Sequence, residues 1–90
     1  MSLSPSERLR LYEMAEDTIH FLVANCSAQL AEEESRLHSD KTRIEQIRAQ
    51  RRQLLSIGRA LDHDNQAMLE EVIATYGPQL REARAAERRP

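Results

Sequence analysis

Ninety residues with a net charge of −2, 31% charged side chains, two glycines and no tryptophan set narrow limits. Such a chain builds one domain at most, and with Tyr12, Phe21 and Tyr76 as its aromatic residues the core it can close alone is thin. The composition is that of long helices, and a small helical chain with little core gains burial by oligomerising, so a homodimer is expected.

The near-neutral total hides a pattern. Residues 1–40 hold eight acids and three arginines, a net −5, while residues 41–60 hold six bases and one acid, a net +5. The remaining thirty residues carry six acids and four arginines, a net −2. A nucleic-acid binder more often has a net basic domain, and here an acidic helix of the same chain can answer the basic block. The single cysteine, Cys26, rules out an internal disulfide and fits a reducing compartment. The opening MSLSPSERLR lacks a signal-peptide pattern, and no stretch approaches the ~18 uncharged apolar residues of a membrane span. The expectation is a soluble, cytoplasmic protein with no membrane association. Twelve arginines against one lysine point to a GC-rich genome.

The first helix is announced by SPSE, with Ser4 as N-cap, Pro5 at N1 and Glu7 at N3, a capping box with the favoured proline position. Leu11, Ala15, Ile19, Leu22, Cys26 and Leu30 follow at steps of three and four, within about a 100° arc of a helix. This element is expected over 5–37.

In LHSDKTRIE, Ser39 and Asp40 are cap-type residues, and Thr42 with Glu45 forms a second capping box. A break is favoured here. Sevenfold spacing of Leu30, Leu37 and Ile44, and of Ile47, Leu54 and Leu61, also suits an uninterrupted coiled-coil helix. A second helix over 41–61 then presents Ile44, Ile47, Leu54, Leu55, Ile57 and Leu61. After LDHDNQ, with Asp62 or Asp64 as N-cap, a third helix over 64–76 carries Met68, Leu69, Val72, Ile73 and Tyr76. Gly77 and Pro78 should end it, leaving 78–90 as a polar, flexible tail.

The fold class expected is therefore all-α, with a single helical domain over 1–77. It is a helical hairpin, or antiparallel coiled-coil-like bundle, of two long helices plus a shorter third, and dimeric. Leu11, Ile19, Leu22, Cys26, Leu30, Ile44, Ile47, Leu54 and Leu61 are the expected core and dimer residues. A hairpin about residue 40 brings Glu32, Glu33 and Glu34 near Arg43 and Arg48, opposed charge that sets pairing.

No catalytic residue, metal site or cofactor is expected. His20, His38 and His63 lie 18 and 25 residues apart, without metal-ligand spacing, and there is no glycine-rich phosphate loop or nucleophile elbow. Cys26 reads as a buried small hydrophobe rather than a reactive thiol. Arg48, Arg51 and Arg52 cluster on one helix and suit phosphate contacts, yet no aromatic residue between positions 22 and 75 offers a base a stacking platform. Nucleic acid is the less favoured partner.

Met14 and Phe21 sit seven apart, off the centre of the main stripe, with Thr18, Asn25 and Ala28 as small or mildly polar neighbours. A second apolar strip on an acidic helix has to be covered. The third helix, a dimer mate or another protein can do so, the last in the manner of a groove or ridge recognising a partner.

The size, the acidic amphipathic helix of residues 5–37 and the arginine-rich helix after it resemble the small dimeric helical antiactivators of bacterial quorum sensing. That resemblance implies a protein that sequesters a transcription factor and prevents it from pairing or engaging DNA, with no functional residue carried over. Alternatives are a secretion chaperone or antitoxin that masks a partner's apolar surface, a nucleic-acid-associated accessory protein using Arg48, Arg51 and Arg52, and a structural coiled-coil adaptor.

Overall fold

A computed structural model describes residues 3–88. Three helices make up the architecture: α1 (Pro5–Glu34), α2 (Lys41–Ala60) and α3 (Gln66–Glu87), with no strand among the described residues. The capping box is present at the start of α1, where the Glu7 N–H donates to Ser4 Oγ (3.2 Å) and the Ser4 N–H donates to Glu7 Oε1 (3.0 Å). Those bonds from Ser4 hold the Glu7 carboxyl below its ordinary range.

The expected break is real, and its chemistry differs in detail from the sequence reading. α1 ends at Glu34 rather than at residue 37, so Leu37 lies in the turn and is 92% exposed. Glu33 closes that turn: its buried carboxylate accepts from the Asp40 N–H (2.9 Å) and from Arg36 Nη1 (3.2 Å). Asp40, not Thr42, caps α2 by accepting from the Arg43 N–H (3.1 Å). Asn65, rather than Asp62 or Asp64, caps α3 by accepting from the Met68 N–H (3.0 Å).

The third helix does not stop at Gly77–Pro78. It runs through both to Glu87, so it is longer than α2 and not the shorter element expected, and residues 78–87 are helical rather than a loose tail. Residues 89–90 of that tail lie outside the described part. Gly77 does not take the left-handed conformation that a C-cap glycine would. Proline in a helix interior removes one hydrogen bond and crowds the preceding turn. The continuing helix offsets this because half-buried Leu80 and Ala83 extend the face of Leu69, Val72 and Tyr76, and Arg84 reaches over Phe21 with its guanidinium 5.1 Å from the ring centre.

α1 lies between the other two. Ser27 meets Arg51 (3.2 Å), Glu34 meets Arg48 (4.0 Å) and Asp40 closes on Glu33, so positions rise on α1 as they fall on α2, an antiparallel hairpin. Arg8 approaches Asp64 (3.7 Å), Tyr12 stacks on His63 (3.7 Å between ring centres) and Phe21 lies under Arg84, so α3 runs with α1. α2 and α3 both pack on α1, and no Cα of one comes within 8 Å of a Cα of the other.

Ala15, Ile19, Leu22, Cys26 and Leu30 from α1 join Ile47 and Leu54 from α2 and Leu69 and Val72 from α3 in one core. Of the expected core residues, Leu11, Ile44 and Leu61 are half-buried at its margin. At Gly58 a Cβ would stand 3.3 Å from Ile19 Cγ2, so the missing side chain lets α2 approach α1 closely.

The shape is open. Its radius of gyration is 15.3 Å, against about 12 Å for a compact chain of this length. It exposes 6558 Å², against roughly 5,400 Å² for a compact protein of its mass.

Two substitutions test this packing. Leu54 is 1% exposed, and Leu54→Ala should cost about 2–5 kcal/mol in urea denaturation. Pro78→Ala restores a helical N–H and should raise the thermal midpoint, with a gain of about 1–3 kcal/mol, part of the ~3 kcal/mol penalty of an interior proline. A lowered midpoint would mean that the proline ring itself packs favourably.

Candidate protein-interaction surfaces

The strip of Met14, Thr18, Phe21 and Asn25 is the seam where α3 crosses α1. It is not the free ridge that a fully exposed partner site requires. Thr18 is 5% exposed and its hydroxyl donates to the Met14 carbonyl (2.7 Å), the back-bond expected of a helical threonine with no better partner. Thr18 is therefore withdrawn from any partner. Phe21 is half-buried against the core, with Arg84 over its ring. Arginine on an aromatic face is a favourable contact of ~0.5–1 kcal/mol at an exposed site. Asn25 is half-buried, and Met14 remains 51% exposed.

Beside that seam lies a cleft of about 500 Å³, left open because the backbones of α2 and α3 stay more than 8 Å apart. Its floor is Leu22, Asn25, Gln29 and Glu32 of α1, and Gln50 of α2 forms one wall. Gln79, Glu82, Ala83, Ala86 and Glu87 of α3 form the other. The lining thus offers three carboxylates and four amides to a ligand, and no cation.

On the opposite flank of α1, a second groove of about 360 Å³ runs along the α1–α2 seam. Ile19, Val23, Ala24, Leu55 and Gly58 give it an apolar floor, with His20 and Arg59 at its rim. Leu55 is 40% exposed. Neither this groove nor the cleft was visible in the apolar periodicity. The one signal was Gly58 in the interior of a helix, where glycine weakens the helix unless a close approach needs it.

The arginine cluster does not form one phosphate-facing patch. Arg51 donates to Ser27 of α1 (3.2 Å), and Arg48 pairs with Glu45 (3.3 Å) and approaches Glu34 (4.0 Å). Arg52 alone of the three makes no ion pair or side-chain hydrogen bond among the described residues. The histidines are dispersed: His20 rims the groove, His63 stacks on Tyr12, and His38 is exposed in the turn after α1. Burial pushes the Tyr12 phenol up, and neighbouring Glu16 adds to the shift.

Cys26 is 2% exposed. Burial pushes its thiol above the ordinary value of 9.0, with Arg51 and Arg43 opposing the shift. No helix among the described residues is long and apolar enough to cross a membrane, and no three His, Cys, Asp or Glu side chains among them gather as a metal would require. No protein-family model matches the chain, and no curated protein or solved structure is significantly similar to it.

Phe21→Ser should cost about 2–4 kcal/mol in urea denaturation, somewhat under the ~3–5 kcal/mol for emptying a fully buried aromatic site, because Phe21 is half-buried. Met14→Ser should cost under about 1 kcal/mol, as surface substitutions do. Equal effects would place the two residues in the same environment and contradict the seam.

Cys26 should resist iodoacetamide in the folded protein and react in denaturant. Because folding raises its pKa, its contribution to stability is complete below the unfolded value near 9.0 and declines as the pH rises beyond it. The Cys26→Ala variant should lose part of that alkaline decline.

Proposed function

We propose that this chain is a homodimeric, cytoplasmic regulator that acts by binding and sequestering another protein. The observation that carries the reading is the cleft bounded by all three helices, whose lining holds Glu32, Glu82 and Glu87 with Asn25, Gln29, Gln50 and Gln79 and no positive charge. A partner segment rich in arginine or lysine satisfies those groups, and complementary potential of this kind governs specificity and association rate. Nucleic-acid-binding proteins carry basic surfaces of that description. A transcription factor held there by its basic face would be kept from DNA, which is the action that the resemblance to quorum-sensing antiactivators implies.

The test uses the whole protein as bait in extracts of its native host, followed by affinity measurement on the partner recovered. Glu82→Arg with Ala86→Arg puts two cations on the cleft wall at exposed positions of α3. Circular dichroism should be unchanged, the partner's affinity should fall at least tenfold, and wild-type binding should weaken with salt. A double variant that binds the same partner as tightly as wild type removes the cleft from consideration.

A further inference from the structure

We infer that the α1–α2 groove is the homodimer interface, and that a second copy of this chain lies on it about a two-fold axis running along the helices. This rests on the homodimer put forward above and adds its face and orientation.

Surface area comes first. The chain exposes roughly 1,200 Å² more than a compact protein of its mass, which exceeds the ~800 Å² that each partner contributes to a stable interface. Part of that surface is the apolar groove, where Val23, Ala24, Leu55 and Gly58 line an opening along the helix axes with Ile19 beneath them. Val23, Ala24 and Leu55 stand side by side on two antiparallel helices, with Leu55 40% exposed.

Charge then selects the orientation. On α1 the residues leading to the groove are Glu13, Glu16 and His20, at helical steps of three and four that share one side. On α2 the corresponding row is Arg52, Leu55 and Arg59. Neither Glu13 nor Glu16 on one side, nor Arg52 or Arg59 on the other, joins a salt bridge within the chain among the described residues. An isologous interface places one patch on its own copy. Two orientations lay groove on groove. With the axis across the helices, α1 meets α1 and α2 meets α2 in antiparallel register about the groove, so the Glu16 row finds no base opposite it. With the axis along the helices, α1 of each copy covers α2 of the other, so the Glu16 row faces the Arg59 row twice. Opposite charges specify pairing, and the second arrangement alone sets the acid row against the base row. It buries both grooves and leaves the acidic cleft on the far flank of α1 open to another protein.

Sedimentation equilibrium across the micromolar range tests each part. Wild type should have twice the 10.4 kDa chain mass. Ala24→Arg and Leu55→Asp, at exposed positions, should each give the monomer mass with helicity unchanged by circular dichroism. Arg59→Glu should raise the dimer dissociation constant at least tenfold, and adding Glu16→Arg should restore it. A wild type that is monomeric throughout overturns the homodimer and this face together. A wild-type dimer that both groove variants leave intact overturns the face and leaves the homodimer standing. Dissociation by the groove variants without loss and rescue in the charge pair overturns the orientation.

Discussion

One apolar arc on α1 serves two neighbours at once. Ala15, Ile19, Leu22, Cys26 and Leu30 are buried along this helix, and α2 and α3 each pack on it while no Cα of one comes within 8 Å of a Cα of the other. In a closed three-helix bundle each helix supports the other two, so losing one contact leaves two. Here the close backbone approaches between helices all involve α1. The capping box of Ser4 and Glu7 fixes where that helix begins, and Glu33, bonded to the Asp40 N–H and to Arg36, fixes where the chain turns back from it.

The open geometry follows from composition. Two flanking helices with few large side chains toward each other cannot close the space between them, and what remains is a cleft lined mostly by Gln and Glu. Larger apolar residues at Gln50 or Gln79 would be expected to draw α2 and α3 together, because burial on the order of 25 cal/mol per Å² of apolar surface would then reward closure. The polar lining thus maintains the opening and supplies its chemistry. On the other flank, Gly58 brings α2 close enough to α1 for the groove floor to be continuous.

The two flanks of α1 therefore have different character, one acidic and amide-rich, the other apolar with acid and base rows beside it. A protein that self-associates through one and captures a partner through the other needs no moving part. It also needs no cavity deep enough for a small molecule, since macromolecular recognition works on shallow surfaces with a few anchoring side chains.

How far the sequence alone reached is clearest at particular residues. The spacing of Leu11 to Leu30 determined that the first helix has one buried stripe, and SPSE determined its start, because capping and periodicity are local properties of a helix. The opposed charges of α1 and α2 foretold the Arg48–Glu34 approach for the same reason that oppositely charged helices pair. Gly77–Pro78 misled, since the local cost of proline was outweighed by contacts with α1 that lie more than fifty positions away in the chain. Met14 and Phe21 were legible as a strip beyond the main stripe. That α3 covers Phe21 and buries Thr18 while leaving Met14 half-exposed depended on the crossing of two helices. Helix positions and apolar faces are written in short-range patterns of the sequence. Which faces meet, and how much space stays open between α2 and α3, was decided only by tertiary packing, because it depends on the summed fit of side chains distant in the chain.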